Sequence, residues 1–206
     1  KIVSAERKAA MSEGPGVRFA ALFLLLCACA EGYNRRGCEA WPGAPAWTTL
    51  AQQMSSGAAL HGPITSSDYE ACKTVGTDAY ALSAAGNGIC MHAHDCENRF
   101  CSPQETANLP AYVVEAKSED DIAAALVFAA EHDIAVAVKA TGHSYPGSST
   151  AADSILVWMA NYPKDGAITE NYVDSCGTSH SAVVGIGGGE TWNDVLEAVK
   201  GQYHVV

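Results

Sequence analysis

The rhythm of apolar and polar positions is clearest in the second half of the chain. The run 112–115 (YVVE) is short and mostly apolar, and it predicts a strand. Ser118 stands three residues before Asp121, with Glu119 and Asp120 between them. That spacing is an N-cap signature, and it places negative charge at the positive end of a helix dipole. Ile122, Leu126, Ala129 and Ala130 then recur at i, i+4, i+7 and i+8, which predicts an amphipathic helix ending near His132. The run 134–138 (IAVAV) is unbroken, as expected of a strand covered on both faces. Strand, helix and strand in this order imply a right-handed parallel crossover. Further strands are predicted at 155–159 (ILVWM) and 182–186 (AVVGI). Thr191 with Asp194 repeats the capping signature and opens a second helix through Lys200, after which 201–206 begins what reads as another strand. The class is α+β with a βαβ start.

Upstream the pattern weakens. Residues 31–110 are rich in Gly, Ala, Ser and Cys, and only Trp41, Trp47, Leu50 and Met54 suggest a helix, over about 46–55. Most of this segment reads as a disulfide-pinned surface stretch. Farther up, residues 19–30 (FAALFLLLCACA) form an apolar run too short for the roughly 20 residues of a spanning helix. Arg18 precedes it, and Ala28 and Ala30 supply an A-x-A cleavage pattern. The reading is a secretory signal over 11–30, with an uncleaved anchor or a buried helix as alternatives. No Met precedes Met11, so residues 1–10 are read as translated leader. The expected organisation is therefore leader 1–10, signal 11–30, a cysteine-containing lead-in over 31–108, and a domain over 109–206. The localisation expected is the secretory pathway or outside the cell, with no membrane association after cleavage.

Composition narrows the partners. Among 206 residues 48% are hydrophobic, 17% are charged, and the net charge is −11. Basic residues do not cluster, which disfavours nucleic acid and anionic membrane surfaces. Two of the eight cysteines, Cys27 and Cys29, lie in the signal, and six remain: Cys38, Cys72, Cys90, Cys96, Cys101 and Cys176. An even number in a secreted chain points to disulfides. The stretch 90–101 (CMHAHDCENRFC) adds His92 and His94, suitable zinc ligands, but its spacing matches no paired-knuckle pattern. Disulfides are expected there, and no metal.

The candidate chemistry lies in residues 135–150 (AVAVKATGHSYPGSST). A buried strand passes through Lys139 into a loop of small residues: Gly142, Ser144, Gly147, Ser148 and Ser149. Small residues at a strand end let the backbone turn sharply and approach a bulky group closely. Successive N–H groups in such a turn form a nest for phosphate oxygens. His143 in its middle restores bulk that the glycines have just removed, which suggests a side chain aimed at a phosphate-bearing cofactor. Lys139 has two readings, a phosphate contact or a solvated strand end.

The form (K/R)-x-x-G-H-x-x-x-G-x-S, met here by Lys139, Gly142, His143, Gly147 and Ser149, resembles the flavin-binding loop of the FAD-linked oxidases of the vanillyl-alcohol oxidase and berberine-bridge-enzyme type. The flanks agree: 109–114 with 118–132 resembles the preceding strand and helix, and 183–199 (VVGIGGGETWNDVLEAV) the later strand, Gly-rich turn and helix. The resemblance covers residues 109–206 and implies a PCMH-type FAD-binding domain. It implies FAD as cofactor, bound by Lys139, Thr141, Gly142, His143, Ser144, Gly147, Ser148 and Ser149, with His143 bonded to the flavin 8α carbon. It further implies oxidation of an alcohol, sugar or related small molecule, with oxygen as acceptor. Members of this family run to more than twice this length, so the chain is expected to be an N-terminal part that ends before the substrate domain. The catalytic base would lie in that second half, and no catalytic residue is assigned here. Gly185, Gly187 and Gly189 also invite a dinucleotide fingerprint, but Glu190 occupies the place that needs a small residue. The resemblance reads this turn as backbone closing over the cofactor. A different class stays open: a non-enzymatic, disulfide-rich secreted binding module with the same fold.

Overall fold

The computed structural model describes residues 32–65, 67–68, 88–89, 109–142, 144, 148–164 and 166–201. The first helix, α1 (Ala44–Gln53), starts after Gly43 with Pro45 in its opening turn, where a missing N–H costs nothing. It buries Trp47 and Leu50. Strand β1 (Ala59–His61) follows and pairs antiparallel with β2 (Tyr112–Glu115). Helix α2 (Glu119–Glu131) leads to β3 (Val136–Lys139), and β4 (Ile155–Trp158) comes next. The strand order is β1-β2-β4-β3, so β4 lies between β2 and β3 and pairs parallel with both. The βαβ unit therefore skips one position rather than joining neighbours. A separate antiparallel hairpin, β5 (Ile168–Val173) and β6 (Ser179–Val184), precedes helix α3 (Trp192–Val199).

Both sheet faces are covered at β4, whose four residues are all buried. On one face Ile155 and Val157 join Trp47, Leu50, Val114, Phe128 and Ala129; on the other Leu156 and Trp158 join Ile64, Ile89, Leu109, Val113 and Ala137. Residues on both sides of the expected 108/109 boundary thus share one sheet and one core. Trp47 stacks on Tyr112 at 3.7 Å and lies 4.7 Å from Phe128, which makes α1 a core element and corrects the surface reading of this stretch.

Two other expectations change. The unbroken run 134–138 predicted a strand covered on both faces, yet β3 is last in the strand order and Val138 is 56% exposed. The strand covered on both faces is β4. In α2 the buried face is Asp121, Ala125, Phe128 and Ala129, whereas Leu126 is 48% exposed and Ala130 is exposed. An alanine-rich helix offers two apolar faces of similar width, and a buried polar anchor selects one. Asp121 accepts from the Ser55 N–H (2.7 Å) and hydroxyl (2.8 Å) and from the Lys117 and Ser118 N–H groups (2.9 and 2.8 Å). Those four bonds set the rotation of the helix. Ser118 and Asp121 complete a reciprocal capping box, as do Thr191 and Asp194 on α3. At its other end α2 is closed by Asn34, whose side chain donates to the His132 carbonyl (2.7 Å) and whose N–H donates to that of Asp133 (2.6 Å).

The strands β1 and β5 were not foreseen, and β6 begins three residues before the predicted 182. The signal segment, the 90–101 cluster and residues 202–206 lie outside the described residues. Cys38 is disulfide-bonded to a cysteine outside them. Cys176 is a free, exposed thiol, so it takes no part in the disulfides that the even count favoured.

Candidate functional site

The site grows from the C-terminal ends of parallel strands, where α/β sheets carry their ligands. Lys139, Trp158 and Glu115 are register partners across β3, β4 and β2, so their side chains form one row on one face. Lys139 is fully buried, and its ammonium donates to the Gly88 carbonyl at 2.7 Å. Burial pulls its pKa down from 10.5 to about 8, which leaves it mostly charged at neutral pH. The solvated reading of Lys139 is thereby excluded. The side chain instead braces two segments far apart in sequence.

Three residues on, Gly142 is buried with φ 79°, a left-handed conformation that glycine adopts without cost. A Cβ there would fall 2.6 Å from Lys139 Cε. The lysine stem and the loop backbone therefore meet at a point where no side chain fits. Thr141 is half-buried beside it. Farther along the loop, the Ser144 and Ser148 hydroxyls lie 2.6 Å apart, and the Ser148 N–H donates to Ser144 Oγ at 3.1 Å. Ser149 is buried. Gly142 is thus set against Lys139 and Ser144 against Ser148, while His143 and Gly147 lie outside the described residues.

Two residues of this region had no role in the sequence reading. Gly88, with φ 81°, lies on Trp158: a Cβ there would sit 2.6 Å from Cδ2 and 2.8 Å from Cγ of the indole. Trp158 is 4% exposed, and its Nε1 has no hydrogen-bond partner among the described residues. A tryptophan in an apolar run reads as core, and its relation to Lys139 appears only once strands are in register. At the far end of the row, Glu115 meets His61 Nε2 at 2.9 Å, Asn161 Nδ2 at 2.8 Å and Lys117 Nζ at 3.3 Å. Burial pushes the Glu115 carboxyl up, but the bonds from His61, Asn161 and Lys117 outweigh it and hold the pKa low.

The Gly-rich turn after β6 packs elsewhere. A Cβ at Gly189 would come 1.8 Å from the Met159 carbonyl, and one at Gly187 would come 2.5 Å from that of Pro163. These glycines let the turn sit on the chain leaving β4. Glu190 closes it by accepting from the Gly187 N–H, and Lys164 pairs with Asp194 of the following helix. The lysine and the Thr191 donors hold the Asp194 carboxyl at about 2. The arrangement accounts for the glycines without a dinucleotide fingerprint.

These residues suit a phosphate-bearing nucleotide cofactor. Loop hydroxyls, a buried cation and a buried N–H donor all favour a ligand rich in acceptors. Residues 110–205 match the family model described as an FAD binding domain. The chain is 27% identical over 154 residues to the VAO-type flavoprotein oxidase VAO615 of Thermothelomyces thermophilus, covering 66% of this chain and 27% of the relative. It is 26% identical over 186 residues to the FAD-linked oxidoreductase ZEB1 of Gibberella zeae, covering 82% of this chain and 32% of the relative. The chain thus spans about a third or less of the length of these curated relatives. The crystal structure of the VAO-type flavoprotein MtVAO713 from Myceliophthora thermophila C1 superposes with a TM-score of 0.63 at 21% identity, over 82% of this chain and 33% of that one. Residues 110–205 thus match an FAD binding domain, and the fold is similar to that of a VAO-type flavoprotein.

Proposed function

We propose that this chain is the FAD-binding part of a secreted FAD-dependent oxidoreductase. Its substrate is an alcohol, sugar or related small molecule, and oxygen is the final electron acceptor. The observation that carries this reading is the cradle at the end of β3. Gly142 packs against buried Lys139 there, and the Ser144 and Ser148 hydroxyls meet farther along the same loop, inside the span that matches the FAD binding domain. The relatives, an oxidase and an oxidoreductase, suggest the reaction class.

In this reading the loop N–H groups and the Ser144, Ser148 and Ser149 hydroxyls hold the pyrophosphate. Lys139 adds positive charge and, through Gly88, fixes the strand end from which the loop departs. His143 would carry the covalent link to the flavin. FAD, when bound, supplies the two-electron acceptor chemistry. The protein orients it and excludes water.

Acid precipitation of the full-length holoprotein tests the proposal. Flavin fluorescence is expected in the pellet, and His143→Ala should move it to the supernatant. Flavin in the supernatant from the unaltered protein would remove the covalent link and keep the binding. A colourless protein that takes up no FAD would favour the non-enzymatic module instead.

A further inference from the structure

We infer that Trp158 is a cofactor-binding residue, its indole N–H donating a hydrogen bond to an acceptor atom of bound FAD. The inference rests on the FAD reading above and adds a contact outside the Gly–His loop. Trp158 ends the central strand β4 and is the register partner of Lys139, the residue from which that loop departs. The Met159 N–H donates to the Lys139 carbonyl at 2.8 Å, so the two strand ends stay paired up to the point where the chains diverge.

Trp158 is 4% exposed, and its Nε1 is buried without a partner among the described residues. A buried donor left unpaired loses its bond to water and gains none in return, which makes an orphan at a strand end an unusual feature to keep. The ring position is itself determined. Gly88 lies so close to the indole that a Cβ there would sit 2.6 to 3.0 Å from Cδ2, Cγ and Cε3, and it is held there by the bond from Lys139 to its carbonyl. Nε1 lies on the opposite edge of the indole from those atoms. Gly88, anchored by Lys139, thus closes one side of the ring, away from the edge that carries the donor. A residue chosen only to fill this apolar face would need no N–H, because Leu156 and Val113 fill the same face without one.

The test replaces the indole N–H and nothing else. Trp158 is exchanged for β-(3-benzothienyl)alanine, an isostere with sulfur in place of N–H, in the full-length protein. A His143→Ala background keeps FAD exchangeable, and Trp158→Phe serves as a second variant. FAD affinity is read by flavin fluorescence polarisation, and stability of the FAD-free protein by thermal unfolding. FAD binding is expected to weaken about 3- to 10-fold, the worth of one neutral hydrogen bond, with the apoprotein midpoint unchanged or raised. Unchanged affinity would overturn the inference. So would a fall in apoprotein stability or a loss of folding in both variants, since either would give the N–H a partner within the protein. Failure of the Trp158-containing parent to bind FAD would sink the FAD reading itself, and this inference with it.

Discussion

Asp121 shows how much one side chain can decide. It reads from sequence as half of a capping box, and it is that, but its oxygens also take both donors of Ser55 from the turn after α1. Burial pushes its carboxyl up, yet the bonds from Ser55, Lys117 and Ser118 outweigh this and bring the pKa from 3.8 to about 2. Because the folded value lies below the unfolded one, the stabilisation is complete above pH 3.8 and is lost as pH falls toward 2. Asp121→Asn should cost about 2–3 kcal/mol at neutral pH, the scale of hydrogen bonds to a charged acceptor. It should also remove that share of the acid slope. Urea unfolding at pH 7 and pH 3 checks both, and a neutral-pH cost equal to the pH 3 cost would refute the charge argument. Lys139 is the opposite case: a residue that sequence left between solvent and phosphate is buried, charged and used as a brace.

At the scale of elements, glycines separate into those required by φ and those required by contact. Gly177, in the β5–β6 turn, has φ 83° with nothing within 4 Å of a Cβ, so Gly177→Ala should cost only the left-handed penalty of about 1 kcal/mol. A Cβ at Gly189 would meet the Met159 carbonyl at 1.8 Å, and backbone on both sides cannot yield as a flexible side chain would. Gly189→Ala should therefore destabilise by more, about 2 kcal/mol or above, through loss of the seat between α3 and the exit of β4. Paired thermal melts of the two variants decide it; equal shifts would mean that the close approach is relieved cheaply. In sequence the two glycines look alike, since a steric requirement across 30 residues leaves no local mark.

For the whole molecule, the question is whether the stretch before residue 109 is a lead-in or part of the domain's core. Trp47 is 4% exposed, stacks on Tyr112, and donates through Nε1 to the Pro42 carbonyl at 3.1 Å, while Leu50 is fully buried. Strand β1 extends the sheet beside β2, and Arg36 donates to the Ile64 carbonyl at 2.7 Å and pairs with Asp153. Trp47→Ala should thus cost about 3–5 kcal/mol, the range for emptying a large aromatic site. Chemical denaturation measures it, and a loss below about 1 kcal/mol would show that α1 lies on a surface able to close without it.

What the sequence determined by itself is whatever depends on short range. The capping pairs Ser118–Asp121 and Thr191–Asp194, the four apolar residues of β4 and the spacing Lys139, Gly142, His143, Gly147 and Ser149 are all local, and each is legible in a window shorter than a helix. The resemblance to FAD-linked oxidases was visible for that reason. Tertiary structure alone decided which face of α2 is buried, which strand is central, and what Lys139 and Trp158 touch. Those outcomes depend on Ser55 reaching Asp121 across 66 positions and Gly88 reaching Lys139 across 51. Periodicity offers no information at such separations, because either face of an alanine-rich helix satisfies the same pattern until a distant partner supplies the hydrogen bonds that choose between them.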